Sequence, residues 1–280
     1  MIAAYLTILR PTQWLKNLML FFPLFLSGQA LMQPLTGREF LAFTAFCLVS
    51  SAGYIFNDLL DRTRDLLHAQ KRVRPLPSGA VSVAAASYFA VFLLISGLVS
   101  AGFVSYTILL LLLVYGLISL MYTLVLKSLP VVDLFCIAAG FLIRLQAGGE
   151  LFHIPISPWL FLTVFLLAIF LSTGKRLSES QTLGDCAGEH RASLACYPSG
   201  FLSGALYMTG SAVLVTYAMY ALHKPRLLYT VPLCLFGLLR YIMRVSTGKS
   251  GDPTEALLKD RLLFAVGLLW VVMVYWSIYW

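Results

Sequence analysis

Charge is what this sequence has least of. Asp, Glu, Lys and Arg make up 11% of its 280 residues, against about a quarter in a soluble domain, too few to coat a water-exposed surface. Histidine is as sparse: His68, His153, His190 and His223 stand alone, with no spacing that brings two onto one metal ion. The cysteines Cys47, Cys136, Cys186, Cys196 and Cys234 form no C-x-x-C. Cys186 and Cys196 share one loop, which the charge pattern below assigns to the reducing cytosol, so neither a disulfide nor a thiolate metal centre is expected. No stretch is polar enough to form a soluble domain, so the net charge of +8 has no basic arm to offer nucleic acid. Anionic lipid headgroups and phosphorylated substrates are the expected partners. The opening MIAAYLTILRPTQWLKN shows no small-residue cleavage site behind its hydrophobic core, and the first apolar run is expected to be retained.

Apolar residues fill the rest, 60% of the chain. They recur in runs of about 20, the length that crosses a hydrocarbon core about 30 Å thick. We read about nine spans, near residues 15–32, 40–60, 81–102, 106–126, 131–149, 158–173, 201–222, 227–243 and 262–280. In lipid each backbone N–H and C=O must be paired within its own segment, so the expected fold class is all-α, one transmembrane helical bundle over residues 1–280. Lys and Arg divide unevenly between the two sets of connecting segments. One set holds sixteen, from Arg10 and Lys16 to Lys259 and Arg261, while the other holds Arg38, Lys224 and Arg226, with Arg144 inside the fifth span. The positive-inside rule then places the N-terminus in the cytoplasm and the C-terminus across the inner membrane.

The most informative stretch is Asn57-Asp58-Leu-Leu-Asp61-Arg62-Thr-Arg64-Asp65, where the second span leaves the bilayer. Asn57, Asp61 and Asp65 are spaced by four, each step turning about 40°, so they share one helix face. Oxygen ligands in this array suit Mg²⁺, which takes one or two carboxylates and completes its shell with water and substrate phosphate; ligand type alone does not separate it from Mn²⁺. Asp58 points about 100° from Asn57 and ranks below the others, as a cap or orienting group. The plainer alternative is a set of interfacial charges matched by Arg62 and Arg64, but carboxylates repeated along a helix leaving the membrane are costly and usually functional. Lys71, Arg72 and Arg74 follow at once, a phosphate clamp in which Arg binds bidentately and Lys acts as a point charge.

Asn57-x-x-x-Asp61-x-x-x-Asp65 followed by Lys71-Arg72-x-Arg74-Pro75-Leu resembles the first signature of the UbiA superfamily of membrane prenyltransferases. The likeness continues through Tyr122-Thr-Leu-Val-Leu-Lys127-Ser-Leu-Pro130-x-x-Asp133 and Gly140-Phe-x-x-Arg144. It implies helices around a cavity open to lipid, with a Mg²⁺–diphosphate under cytoplasmic loops. Where the family carries a second Asp-rich repeat, this chain reads Ser172-Thr-Gly174-Lys175-Arg176-Leu-Ser-Glu179. A single acid beside two cations suits a donor with a metal-bound diphosphate and a separate phosphate. With Arg10-Pro11-x-Gln13-Trp14-x-Lys16-Asn17 and the late Gly251-Asp252-Pro253-x-Glu255, the chain is most similar to the polyprenyl-phosphate phosphoribosyltransferase branch.

That resemblance implies phosphoribosyl diphosphate (PRPP) as donor and a polyprenyl phosphate as acceptor. Asn57, Asp61 and Asp65 are expected to hold the metal, and Lys71, Arg72, Arg74, Lys175 and Arg176 to neutralise phosphate. Asp58 and Glu179 would bind ribose hydroxyls or a second metal, while Lys16, Asn17, Tyr122 and Lys127 would face the acceptor. Two alternatives stand beside this reading. One is transfer from a prenyl diphosphate to an aromatic or other acceptor, which calls for a second carboxylate pair. The other is a secondary transporter, which calls for ionisable groups near the bilayer midplane.

Overall fold

The computed structural model describes residues 2–67, 72–183 and 192–280. Lys71, expected in the phosphate clamp, lies outside the described residues, as do His68, Cys186, His190 and Arg191. In chain order the helices are α1 (Ile2–Leu9), a 3₁₀ run (Pro11–Phe21), α2 (Phe22–Ser27), α3 (Gly37–Leu60), α4 (Arg62–Leu67), α5 (Val83–Val104) and α6 (Tyr106–Leu124). There follow α7 (Val132–Phe152), α8 (Pro158–Leu183), α9 (Ala192–Ala195), α10 (Phe201–Leu222), α11 (Val231–Ser246), α12 (Pro253–Lys259) and α13 (Arg261–Tyr279). No strand occurs among the described residues. The all-α expectation holds, and this is a multi-pass membrane protein: eight described helices are long and apolar enough to cross a bilayer.

The first expected span is the one that forms no long helix. Its 3₁₀ geometry has three residues per turn, which puts Trp14, Asn17 and Leu20 on one side. Trp14 Nε1 donates to Ser51 Oγ at 3.0 Å and Asn17 Nδ2 to Cys47 Sγ at 3.1 Å, both on α3, while the Leu20 carbonyl lies against Gly148 of α7. An α-helix would rotate the Trp14 and Asn17 side chains apart. The sixth span differs in the other direction, running ten residues past the expected end to Leu183, so Lys175, Arg176 and Glu179 sit on a continuous helix.

Polar residues fix the ends. Thr36 and Glu39 form a capping box that opens α3, with Thr36 N donating to Glu39 Oε2 at 2.6 Å. Ser105 closes α5 and opens α6 at once: its N–H donates to the Ala101 carbonyl at 3.2 Å and its hydroxyl accepts from Ile108 N at 3.1 Å. Hydroxyls inside the spans, such as Thr123 and Thr163, donate to carbonyls four residues back at 2.9 and 2.7 Å, so these two need no partner in lipid.

Contacts divide the chain into two compact units. The first comprises residues 1–23, 32–125 and 143–154. Here α1 and α5 pack on α3 around Ile8, Ile55, Leu76 and Leu93, and Gly97 lets α5 approach α3 so closely that a methyl group would lie 2.7 Å from Val49. Small residues at crossings are what helix packing in lipid requires, because apolar burial alone gives no gain there. The second unit comprises residues 24–31, 126–142 and 155–280. Its core joins α8, α10 and α11 through Phe170, Leu206, Val213, Leu238 and Tyr241. The Tyr241 hydroxyl donates to the Gly251 carbonyl at 2.6 Å, tying the segment after α11 to its own helix. Helix α13 is only 6% buried in its apolar window, against 56% for α3, which leaves it presented to lipid.

Candidate active site

In the first unit, α3 ends where the acids begin. Asp61 leaves helical geometry (φ −86°, ψ 2°), yet Asp61 N still donates to the Asn57 carbonyl at 2.9 Å and Asp65 N to the Asp61 carbonyl at 2.8 Å. The helix breaks without losing its turn-by-turn stacking, and Asn57, Asp61 and Asp65 stay on successive turns. Asp58 lies close to Asp65, the two sharing one arginine. Both are 4% exposed. Arg74 joins them, donating to Asp65 at 2.8 Å and to Asp58 at 3.5 Å. Arg10 Nη2 donates to both Asp58 oxygens, at 2.6 and 2.8 Å, while its guanidinium stacks 5.2 Å from the Tyr54 ring.

Arg10 was not among the expected site residues. It adopts the left-handed region (φ 52°) immediately before Pro11, a costly backbone state that concentrates at functional sites. Proline disfavours a helical residue before it, which is the one signal in the sequence that a turn there aims Arg10 away from the helix. Arg62 carries a buried Nε with no hydrogen-bond partner among the described residues, whereas Arg72 is exposed. No three Asp, Glu, His or Cys side chains converge as metal ligands among the described residues, and Arg74 is paired with Asp58 and Asp65. The donors themselves, one amide and two carboxylates on consecutive turns, fit a hard divalent cation.

Asn17 is a correction. It is fully buried, its carbonyl oxygen accepting from Arg144 Nε at 2.7 Å, so it is committed inside the fold and does not face a lipid phosphate. Arg144 donates to the Tyr115 hydroxyl at 2.9 Å and lies 4.4 Å from that ring. Arg144, inside the fifth span, is thus held by an amide and an aromatic ring within the same unit. Lys16 and Tyr122 are half-buried, on the 3₁₀ run and on α6.

In the second unit, the expected cationic cluster is charge-compensated, a second correction. Arg176 is 2% exposed; its Nε donates to Asp133 at 2.8 Å and its Nη1 to Glu179 at 2.7 Å. Lys175 donates to Asp252 at 2.9 Å. Tyr197 donates to the other Asp133 oxygen at 3.1 Å and accepts from Val131 N at 2.7 Å. Burial pushes the Tyr197 hydroxyl up to about 12, so it remains a donor. Asp252 also caps α12 through Thr254 N and Glu255 N. Lys127 is half-buried in the short turn before α7. The carboxylates that sequence reading found missing beside Glu179 are Asp133 and Asp252, brought in from 43 and 77 residues away from the cations they meet.

The UbiA prenyltransferase family model matches residues 18–267. The decaprenyl-phosphate phosphoribosyltransferase of Mycolicibacterium smegmatis is 31% identical, over 100% of this chain and 93% of that protein. Its namesake in Corynebacterium glutamicum is 31% identical, over 97% of this chain and 85% of that protein. Among solved structures, a UbiA homologue from Archaeoglobus fulgidus bound to GPP and Mg²⁺ superposes with a TM-score of 0.76 at 20% identity, covering 98% and 99% of the two chains.

Proposed function

This chain belongs to the UbiA prenyltransferase family, and on that premise we propose that it transfers the 5-phosphoribosyl group of PRPP to a polyprenyl phosphate with release of diphosphate. The observation that carries the reading is the 31% identity, along the whole chain, to proteins named decaprenyl-phosphate phosphoribosyltransferase. In the reaction, the bond from the ribose anomeric carbon to the diphosphate oxygen breaks, and a lipid phosphate oxygen bonds to that carbon. The attacking oxygen is already anionic, so no general base is needed. Asn57, Asp61 and Asp65 are assigned to Mg²⁺, which when bound offsets the charge that grows on departing diphosphate.

The protein's own groups bind and orient. Arg74, with Arg72 and Lys71, neutralises phosphate oxygens, and Arg10 holds the Asp58 side chain in place. In the second unit Lys175 and Glu179 serve the ribose phosphate and hydroxyls, and Arg176 positions Glu179 rather than binding phosphate itself. Lys16, Tyr122 and Lys127 are assigned to the acceptor phosphate. The Lys/Arg asymmetry supports an inner-membrane protein with these groups and the N-terminus on the cytoplasmic side.

The test is purified protein with Mg²⁺, labelled PRPP and a polyprenyl phosphate, followed by extraction into organic solvent. Label is expected in the organic phase and is expected to disappear with EDTA. One observation favours a second reading: Asp133 and Asp252 give the second unit the carboxylates that a prenyl-diphosphate donor calls for. Inert PRPP together with consumption of prenyl diphosphate would establish that reading in place of the first.

A further inference from the structure

Far from the acidic stripe in sequence, the second unit contains a cavity of about 530 Å³ that the reaction does not use. Three segments build it: Ser27 at the end of α2, His223, Lys224 and Arg226 where α10 turns into α11, and Ser277, Ile278 and Trp280 where α13 ends. The turn at Gly28 (φ 84°) brings the first segment against the last, so close that a methyl group there would lie 3.1 Å from Ile278. Helix α13 has 19 residues and runs from the Asp260 cap to this cavity, so about 28 Å separates its two ends. The cavity and the Lys175–Asp252 pair thus lie at opposite ends of the second unit's helices.

Its chemistry is one-sided. Lys224 and Arg226 carry no ion pair among the described residues. Lys224 is half-buried and spends one of its three donors on the Leu26 carbonyl, while the Arg226 guanidinium lies 5.8 Å from the Trp276 ring, held from one face with its N–H edge open. His223 Nδ1 contacts the Met219 carbonyl at 2.9 Å and so carries the hydrogen there. Burial lowers the Lys224 pKa, a cost that a bound anion removes. Two unmatched cations in one concavity at the end of a transmembrane helix, beside interfacial tryptophans, form the kind of basic pocket that takes a lipid headgroup phosphate.

The geometry points to a phosphate-binding site formed by Lys224 and Arg226, separate from the transferase centre and shaped for the headgroup of an anionic phospholipid. The test is thermal unfolding of the purified full-length protein with dihexanoyl-phosphatidylglycerol, dihexanoyl-phosphatidylcholine or inorganic phosphate, in wild type, Arg226→Gln, Arg226→Lys and Lys224→Gln/Arg226→Gln. Phosphatidylglycerol at about 100 times its Kd is expected to raise the wild-type melting temperature by roughly 5 °C. Arg226→Gln should lose most of that shift and Arg226→Lys should keep part of it, while ligand-free melting of Arg226→Gln stays near wild type and shows it folded. A shift with inorganic phosphate as large as with the lipid, and equally dependent on Arg226, would keep the site and make a soluble phosphate its ligand. No shift with either, an equal shift with phosphatidylcholine, or an undiminished shift in both Gln variants would overturn the site.

Discussion

Asp61 and Asp133 are both carboxylates, yet their surroundings give them opposite duties. Asp61 is half-exposed at the break after α3, so Asp61→Ala should leave the melting temperature close to wild type. On the proposed reading it should cut transfer by at least about 100-fold, the scale on which charge-stabilising groups act; near-normal turnover would remove Asp61 from the metal site. Asp133 is fully buried and shares Arg176, itself 2% exposed. Arg176→Met strands that carboxylate and should cost about 3–5 kcal/mol, and pairing it with Asp133→Asn should recover much of the loss. Equal destabilisation by the single and double variants would mean that packing, not charge, makes the contact matter. Neither partnership was legible in the sequence. The acids of the first stripe are local and declare themselves by spacing, whereas Arg176–Asp133 and Lys175–Asp252 close over 43 and 77 residues and depend on how helices cross.

Helices were legible wherever lipid decides. The seven expected spans from 40–60 onward, the sixth apart, end within a few residues of the helices found, because hydropathy and the capping residues agree on the boundary. The segment 15–32 is helical over residues 15–27, but as a 3₁₀ run continued by α2, because side-chain contacts as well as hydropathy shape it. Trp14 and Asn17, one three-residue turn apart, both bond to α3, and the Leu20 carbonyl lies against α7. Gly148 is the test at this scale. A Cβ there would collide with the Leu20 carbonyl, so Gly148→Ala should destabilise by about 1–3 kcal/mol. Gly204→Ala, with nothing within 4 Å, should be neutral or gain up to about 1 kcal/mol from helix propensity. Thermal unfolding of the two variants side by side separates packing from propensity.

For the molecule as a whole, the charge asymmetry predicts which ends face which compartment. In a cysteine-free background, Lys249→Cys should react with a membrane-impermeant maleimide only once the cytoplasmic face is opened, and Arg38→Cys should react in intact cells. The reverse pattern would invert the assignment. The cap shared by α5 and α6 bears on how such a topology is made. A turn of one residue, Ser105, leaves nothing between the two helices for a ribosome-bound insertion machinery to read or a protease to reach. The pair is therefore expected to enter the bilayer together as a hairpin, its direction set by the basic segment upstream, and lengthening the turn by a few residues should leave the enzyme folded while letting α6 hesitate at the membrane.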